Sequence, residues 1–133
     1  MAVTRFQDLI AWQRARELAH DVDVVTLHDA FSRDFGLKDQ TRRAAVSVMA
    51  NIAERFGRNR PLELLRFLDI AQGSCTELHS HLFIALDIGY LTAEEFAKLQ
   101  SQCESVGMLN RRLTQSVARS SRGTRDEGQG TSR

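Results

Sequence analysis

Hydrophobic side chains recur every three or four residues along most of the chain, which is the period of a helix that buries one face. The first such stripe begins at Leu9 and runs to about Ala30. A turn-like stretch at 31–36 separates it from a second stripe, which begins at Leu37 and ends near Gly57. No segment shows the two-residue alternation of a strand, so the pattern predicts an all-α chain.

Two further helices are marked by the residues at their ends. Pro61 suits the first turn of a third helix, because the N–H that proline lacks would have no partner there. Gly89 suits the left-handed conformation that ends a helix. Thr92 and Glu95 have the spacing of a capping box, in which each side chain binds the backbone of the other. We therefore expect a third helix from Pro61 to Gly89 and a fourth that begins after Thr92.

Four helices joined by short connections predict an antiparallel up-down-up-down four-helix bundle over residues 1–118. The rest of the chain, 119–133, contains no large apolar side chain, so we expect a disordered basic and polar tail there. The length of 133 residues is enough for one hydrophobic core and too short for two.

The second predicted helix carries apolar residues on two faces. One face continues the core stripe, and the other consists of Val46, Met49, Ala50 and Ala53. A helix in a monomeric bundle buries one stripe, so a second apolar face indicates either a wide contact with the core or a contact between subunits. The alternative is that the alanines are simply good helix formers that face water.

A line of polar residues lies between these two faces. Such a line is expected to be partly buried, and its groups then need hydrogen-bond partners on neighbouring helices or on another subunit. Glu54 and Arg58 also have the spacing of an ion pair across one helical turn. We therefore assign to a polar seam and subunit interface the residues Gln40, Arg43, Ser47, Asn51, Glu54, Met49, Ala50 and Ala53.

Charge is unevenly distributed along the chain, although the formal net charge is only +1. Residues 33–66 hold eight bases and four acids, whereas residues 67–104 hold six acids and one base. On one subunit a basic run is equally well explained as a solvated face, but a ring of copies would multiply its field and favour a polyanion. The candidates for contact with nucleic-acid phosphates are Arg42, Arg55, Arg58 and Arg60. Of these, Arg55 projects back toward the core face of its helix, and the end of the helix near Gly57 would have to turn it outward.

Catalytic and metal-binding patterns are missing from the sequence. His79 and His81 are two residues apart and therefore diverge by about 200° on a helix, so they cannot chelate one ion together. The paired Glu-x-x-His motifs of di-iron bundles, the phosphate-binding loop and the nucleophile elbow are also missing. We expect no catalytic residue, no metal and no cofactor.

The cysteine and hydropathy patterns bear on the compartment. Cys75 and Cys103 lie within helical apolar stripes without CxxC spacing, which favours a reducing environment and inert core positions. The longest uninterrupted apolar run, at 82–86, is too short to span a bilayer. We expect a cytoplasmic protein without membrane contact.

Three stretches resemble, in their order, a bacterial family of four-helix-bundle proteins encoded in intervening sequences of 23S ribosomal RNA genes. The resemblance covers about residues 6–115. The stretches are FQDLIAWQRARELA, FGLKDQTRRAAVSVMANIAERFGR and ELLRFLDIAQGSCTELHSHLFIALDIGYL. More distantly, the chain resembles the accessory variability determinant protein of diversity-generating retroelements, which partners a reverse transcriptase.

The resemblance implies a homopentamer with a central channel, a basic surface that binds RNA or another nucleic acid, and no enzymatic activity. It also implies a protein partner that processes nucleic acids, such as a reverse transcriptase.

The sequence departs from the family at Arg55, where Gly is usual, and at Met49, near a usual Pro. It departs again at Arg60, where a Ser or Thr cap is usual, which predicts a weaker start to the third helix. The alternative function is a protein-recruiting assembly module with no nucleic-acid ligand.

Overall fold

The computed structural model consists of helices and their connections. It describes residues 4–131, with side chains described from residue 4 to residue 122, and no strand occurs in the described part. The helices are α1 Ile10–Thr26, α2 Asp29–Arg33, α3 Phe35–Glu54, α4 Pro61–Ile88 and α5 Ala93–Thr131, with single 3-10 turns at Phe6–Asp8 and Arg55–Gly57. The predicted all-α class is confirmed.

The four long helices pack side by side in a ring. Helix α3 lies between α1 and α4, and α5 closes the ring between α4 and α1. Cys75 Sγ donates to the Cys103 carbonyl at 3.3 Å, and Asn110 Nδ2 donates to the Leu68 carbonyl at 2.8 Å. Because the residue numbers rise along α4 as they fall along α5 in these contacts, the two helices run antiparallel.

The core lies along the centre of this ring and is built from the apolar stripes that the sequence shows. Each large apolar side chain that is fully buried contributes about 1.5–3 kcal/mol relative to an exposed one. The largest of these side chains are Leu18, Val22, Phe31, Val48, Ile52, Leu68, Leu78, Leu82, Leu99 and Val106.

The connection between α1 and α3 differs from the prediction. Helix α1 ends at Thr26 rather than near Ala30, and the predicted turn at 31–36 is wrong because α2 extends through Arg33 and α3 begins at Phe35. Asp29 breaks the helical path with a φ of 38°. Phe31, in α2, is 1% exposed and stacks on the Tyr90 ring with centroids 5.2 Å apart. Burial of the Phe31 ring therefore stabilises the helical turn α2.

Side chains satisfy the helix ends at this end of the bundle. Asp34 Oδ1 accepts from the Leu37 amide at 3.1 Å, and Asp34 Oδ2 accepts from the Tyr90 hydroxyl at 2.9 Å. The predicted capping box is confirmed, since the Glu95 amide donates to Thr92 Oγ1 at 3.1 Å and the Thr92 amide donates to Glu95 Oε1 at 2.9 Å. We call Asp34, Tyr90, Thr92 and Glu95, with their backbone partners, the capped end.

The bounds of α4 follow the sequence signals closely. Pro61 occupies the first turn, and Gly89 ends the helix in the left-handed conformation with a φ of 94°. At that φ a Cβ would be strained, so glycine is the suitable residue.

Helix α5 continues beyond residue 118, where the sequence predicts that the bundle ends and a disordered tail begins. Its backbone is helical through Thr131, and 132–133 lie outside the described residues. The first helix-disfavouring residue after Val117 is Gly123, so nothing local stops the helix at 118. Val117 is nonetheless the last buried side chain among those described. The boundary of the core therefore falls near 118, while the helix passes it.

Candidate nucleic-acid interface

The connection between α3 and α4 is built differently from the capped end. Helix α3 passes into the 3-10 turn at Arg55–Gly57, and Arg58 then leaves it in an extended conformation. Arg60 stands at the N-cap of α4 and provides no side-chain hydrogen bond to the helix. The predicted absence of a Ser or Thr cap therefore leaves the α4 start without side-chain capping.

Arg55 is half-buried beside this connection. Its guanidinium lies over the Phe56 ring, 5.1 Å from the centroid, and burial lowers its pKa. Among the described side chains it has no hydrogen bond and no ion pair. The helical periodicity directs Arg55 partly toward the core. In the structure it lines a groove between the start of α4 and the far part of α5.

Arg58 and Arg60 are exposed at the same connection. The predicted pair of Arg58 and Glu54 is confirmed with Nη2 and Oε2 3.5 Å apart, and both side chains are exposed, so the pair contributes little. Arg58 also lies over the Phe67 ring, 5.2 Å from the centroid. Its guanidinium is held in position and remains accessible to a ligand.

Helix α5 brings further arginines to this end. Ser116 and Val117 line the same groove as Pro61, which places the residues just beyond them beside the α4 start. Arg119 and Arg122 follow, and both are exposed. Between residues 105 and 122 the chain has four arginines and no acid. The antiparallel pairing of the last two helices is the signal that could reveal this clustering, whereas composition alone assigns these residues to a tail. We call the set Arg55, Arg58, Arg60, Arg119 and Arg122 the arginine end.

Arg42 does not join this cluster. Its Nε donates to Thr26 Oγ1 at 2.7 Å, and it lies 3.6 Å from Asp23 Oδ1. Because Arg42 projects from the α1 side of α3, it ties the end of α1 to α3. The structure therefore does not support its assignment with Arg55, Arg58 and Arg60 as a phosphate ligand.

The predicted polar seam divides into a half-buried and an exposed part. Ser47 Oγ lies 2.8 Å from Ser74 Oγ on α4, and Asn51 Nδ2 donates to the Ser47 carbonyl at 2.8 Å. Gln40, Arg43 and Glu54 are exposed, and Arg43 pairs with Asp39 on its own helix. The seam is thus a contact between α3 and α4 only at its centre.

The second apolar face of α3 also divides. Met49 and Ala53 are half-buried and pack against the bundle's own core. Val46 is 51% exposed, and Ala50 is exposed beside it. The wide core contact therefore accounts for one half of this face, and Val46 and Ala50 remain available to another subunit.

The two cysteines lie in the core of the bundle. Cys75 and Cys103 are free and buried, and the contact with Cys75, together with burial, raises the pKa of the Cys103 thiol. Within the described part of the chain, no three histidines, cysteines or acids are placed to hold a metal ion. No helix among the described residues is both long and apolar enough to cross a membrane.

Comparison with known proteins places the chain in a family. A crystal structure from Bacteroides thetaiotaomicron, of a protein with unknown function from the S23 ribosomal protein family, matches with a TM-score of 0.73 and 19% identity. The match covers 80% of this chain and 96% of that one, and at this identity it concerns the fold alone. No curated protein sequence matches. The sequence model of the 23S rRNA-intervening sequence proteins matches residues 7–112, and the chain belongs to that family.

Proposed function

We propose that this protein is a non-enzymatic, oligomeric RNA-binding protein whose arginine end contacts phosphates. The observation that supports this proposal is Arg55, a half-buried guanidinium without a hydrogen bond or ion pair among the described side chains, with the exposed Arg58 and Arg60 close to it along the chain. Guanidinium groups match phosphate oxygens with two parallel hydrogen bonds. Phosphate contacts carry no direct sequence information, so we propose binding with little sequence preference.

The proposed oligomer is a homopentamer, and the exposed apolar side chains support a subunit contact. Val46 and Ala50 lie outward on α3, and on α4 Ile70 and Ile84 are 41% and 44% exposed. Several copies of the arginine end in one assembly would add their fields and raise affinity for a polyanion.

Sedimentation tests the assembly. At micromolar concentration we expect a species of about five times the 15.0 kDa subunit mass. Ala50→Glu should dissociate it with the helical circular dichroism kept, because a charge would enter the contact. Ala50→Gln, at the same position, is the comparison that enlarges the side chain without adding a charge. A wild-type species of 15.0 kDa alone rejects the oligomer.

Salt dependence tests the nucleic-acid contact. In filter binding with a mixed-sequence RNA and a duplex DNA, log affinity should fall linearly with log salt, because each phosphate that is neutralised releases counterions. Replacing Arg58 and Arg60 by Gln should lower the slope by about one for each phosphate that is no longer neutralised. Arg33→Gln removes one positive charge near the capped end and should leave the slope unchanged. Absence of binding at low salt rejects the proposal and favours the protein-recruiting alternative.

A further inference from the structure

A groove of about 480 Å³ lies between the start of α4 and the far part of α5. Arg55, Asn59 and Leu64 line one side, and Ser116 and Val117 lie on the other. Its walls therefore combine a cation, an amide and three serine hydroxyls with the apolar side chains of Pro61, Leu64 and Val117. Small-molecule sites have volumes of about 300–1,000 Å³ and a similar mixture of apolar walls and few polar groups.

Arg55 is set apart from the other arginines by its burial and its lack of partners. Arg42 and Arg55 are the two half-buried arginines among the described residues. Arg42 is held by Thr26 and Asp23, whereas the Arg55 guanidinium lies over the Phe56 ring and has no hydrogen bond or ion pair with a described side chain. A partly desolvated cation without a counter-charge binds an arriving anion more strongly than a fully hydrated one, since less water must be removed.

Arg55 is half-buried where it lines the groove, and this restricts which nucleic acid can reach its guanidinium. A duplex is stiff and keeps its bases stacked inside, so its phosphates contact exposed arginines more readily than a half-buried one. A single strand can turn one nucleotide aside and place its base and sugar against apolar and polar side chains. Leu64 and Val117 offer the apolar surface, and Asn59 and Ser116 offer the hydrogen-bonding groups.

We infer that this groove holds one nucleotide of a single-stranded nucleic acid, with its phosphate on Arg55 and its sugar and base between α4 and α5. The inference rests on the proposed function and deepens it, because it assigns preference for single strands to a residue distinct from the exposed arginines. Arg58, Arg60, Arg119 and Arg122 then contact neighbouring phosphates of any strand.

Fluorescence anisotropy tests this assignment with a labelled 12-nucleotide RNA, DNA of the same sequence and the corresponding duplexes. We expect single strands to bind about tenfold more tightly than duplexes. Arg55→Gln should abolish this preference, whereas Arg60→Gln should weaken single-strand and duplex binding by the same factor. Comparison of the RNA and DNA single strands reports whether the sugar is recognised.

A second variant distinguishes loss of the groove from loss of the fold. Ser116→Trp fills the groove from an exposed position on α5 and leaves Arg55 in place, so it should remove the same preference with an unchanged thermal unfolding curve. Equal affinity of the wild type for single strands and duplexes, or equal behaviour of Arg55→Gln and Arg60→Gln, overturns the groove assignment alone. Absence of all nucleic-acid binding at low salt rejects the proposed function as well.

Discussion

The two ends of the bundle satisfy their helix termini in different ways. At the capped end, Asp34 and Thr92 accept hydrogen bonds from backbone amides, and Gly89 closes α4. At the arginine end, Arg60 provides no cap and Arg55 has no counter-charge. The capped end therefore contributes local stability, whereas the arginine end retains backbone donors and cations that an anionic ligand can bind.

The largest expected effect is a loss of stability at the capped end. Asp34→Ala removes the cap of α3 and the acceptor of the Tyr90 hydroxyl, so the free energy of unfolding should fall by about 2 kcal/mol. Urea titration followed by circular dichroism measures it. Asp34→Asn, which still caps, should lose less, and RNA affinity should stay unchanged in both variants. Equal losses for Ala and Asn would show that capping contributes nothing here.

A smaller effect is expected when the start of α4 is given a side-chain cap like those at the capped end. Arg60→Ser supplies the cap that α4 lacks, so the free energy of unfolding should rise by about 0.5–1 kcal/mol. RNA affinity should fall at the same time, because one phosphate would no longer have its arginine. Arg60→Gln is the matched control that removes the charge without adding a good cap. Should Arg60→Ser bind RNA as well as the wild type, Arg60 does not contact phosphate.

The smallest effect concerns pH and involves Asp21 in α1, toward the capped end. Burial raises the pKa of Asp21, but hydrogen bonds from Gln102 and His20 and the charge of Lys98 outweigh it and hold the pKa below the ordinary 3.8. A carboxyl whose folded pKa lies below its unfolded pKa stabilises the fold above the unfolded value, and this contribution is lost as pH falls through the folded value. Asp21→Asn should therefore flatten the loss of stability in acid, measured by urea titration between pH 5 and about pH 2. An unchanged pH profile would show that Asp21 does not contribute to the loss of stability in acid.

Sequence patterns predict the parts of the fold that depend on local chemistry. Pro61, Gly89, Thr92 and Glu95 define helix ends through backbone conformation and short-range hydrogen bonds, and all four occupy the positions expected. The helical turn before α3 cannot be predicted in this way. It depends on burial of Phe31 beneath Tyr90, which is far away in the chain.

The candidate site is predictable only in part for the same reason. Arg55, Arg58 and Arg60 lie together because they are neighbours in sequence, so the pattern identifies them as a group. The pattern does not reveal that Arg42 lies apart from them, because its partner Thr26 belongs to another helix. Composition places Arg119 in a tail, since no large apolar residue after Val117 signals that α5 continues past the core.

Asn110 fixes the register of α5 relative to α4. Its amide is 1% exposed and donates to the Leu68 carbonyl across the contact between α4 and α5. A slip of α5 by one turn would leave this amide buried without its partner, at a cost of about 1–3 kcal/mol. Asn110 therefore acts as a register lock, which fixes how far Arg119 and Arg122 project beyond the first turn of α4.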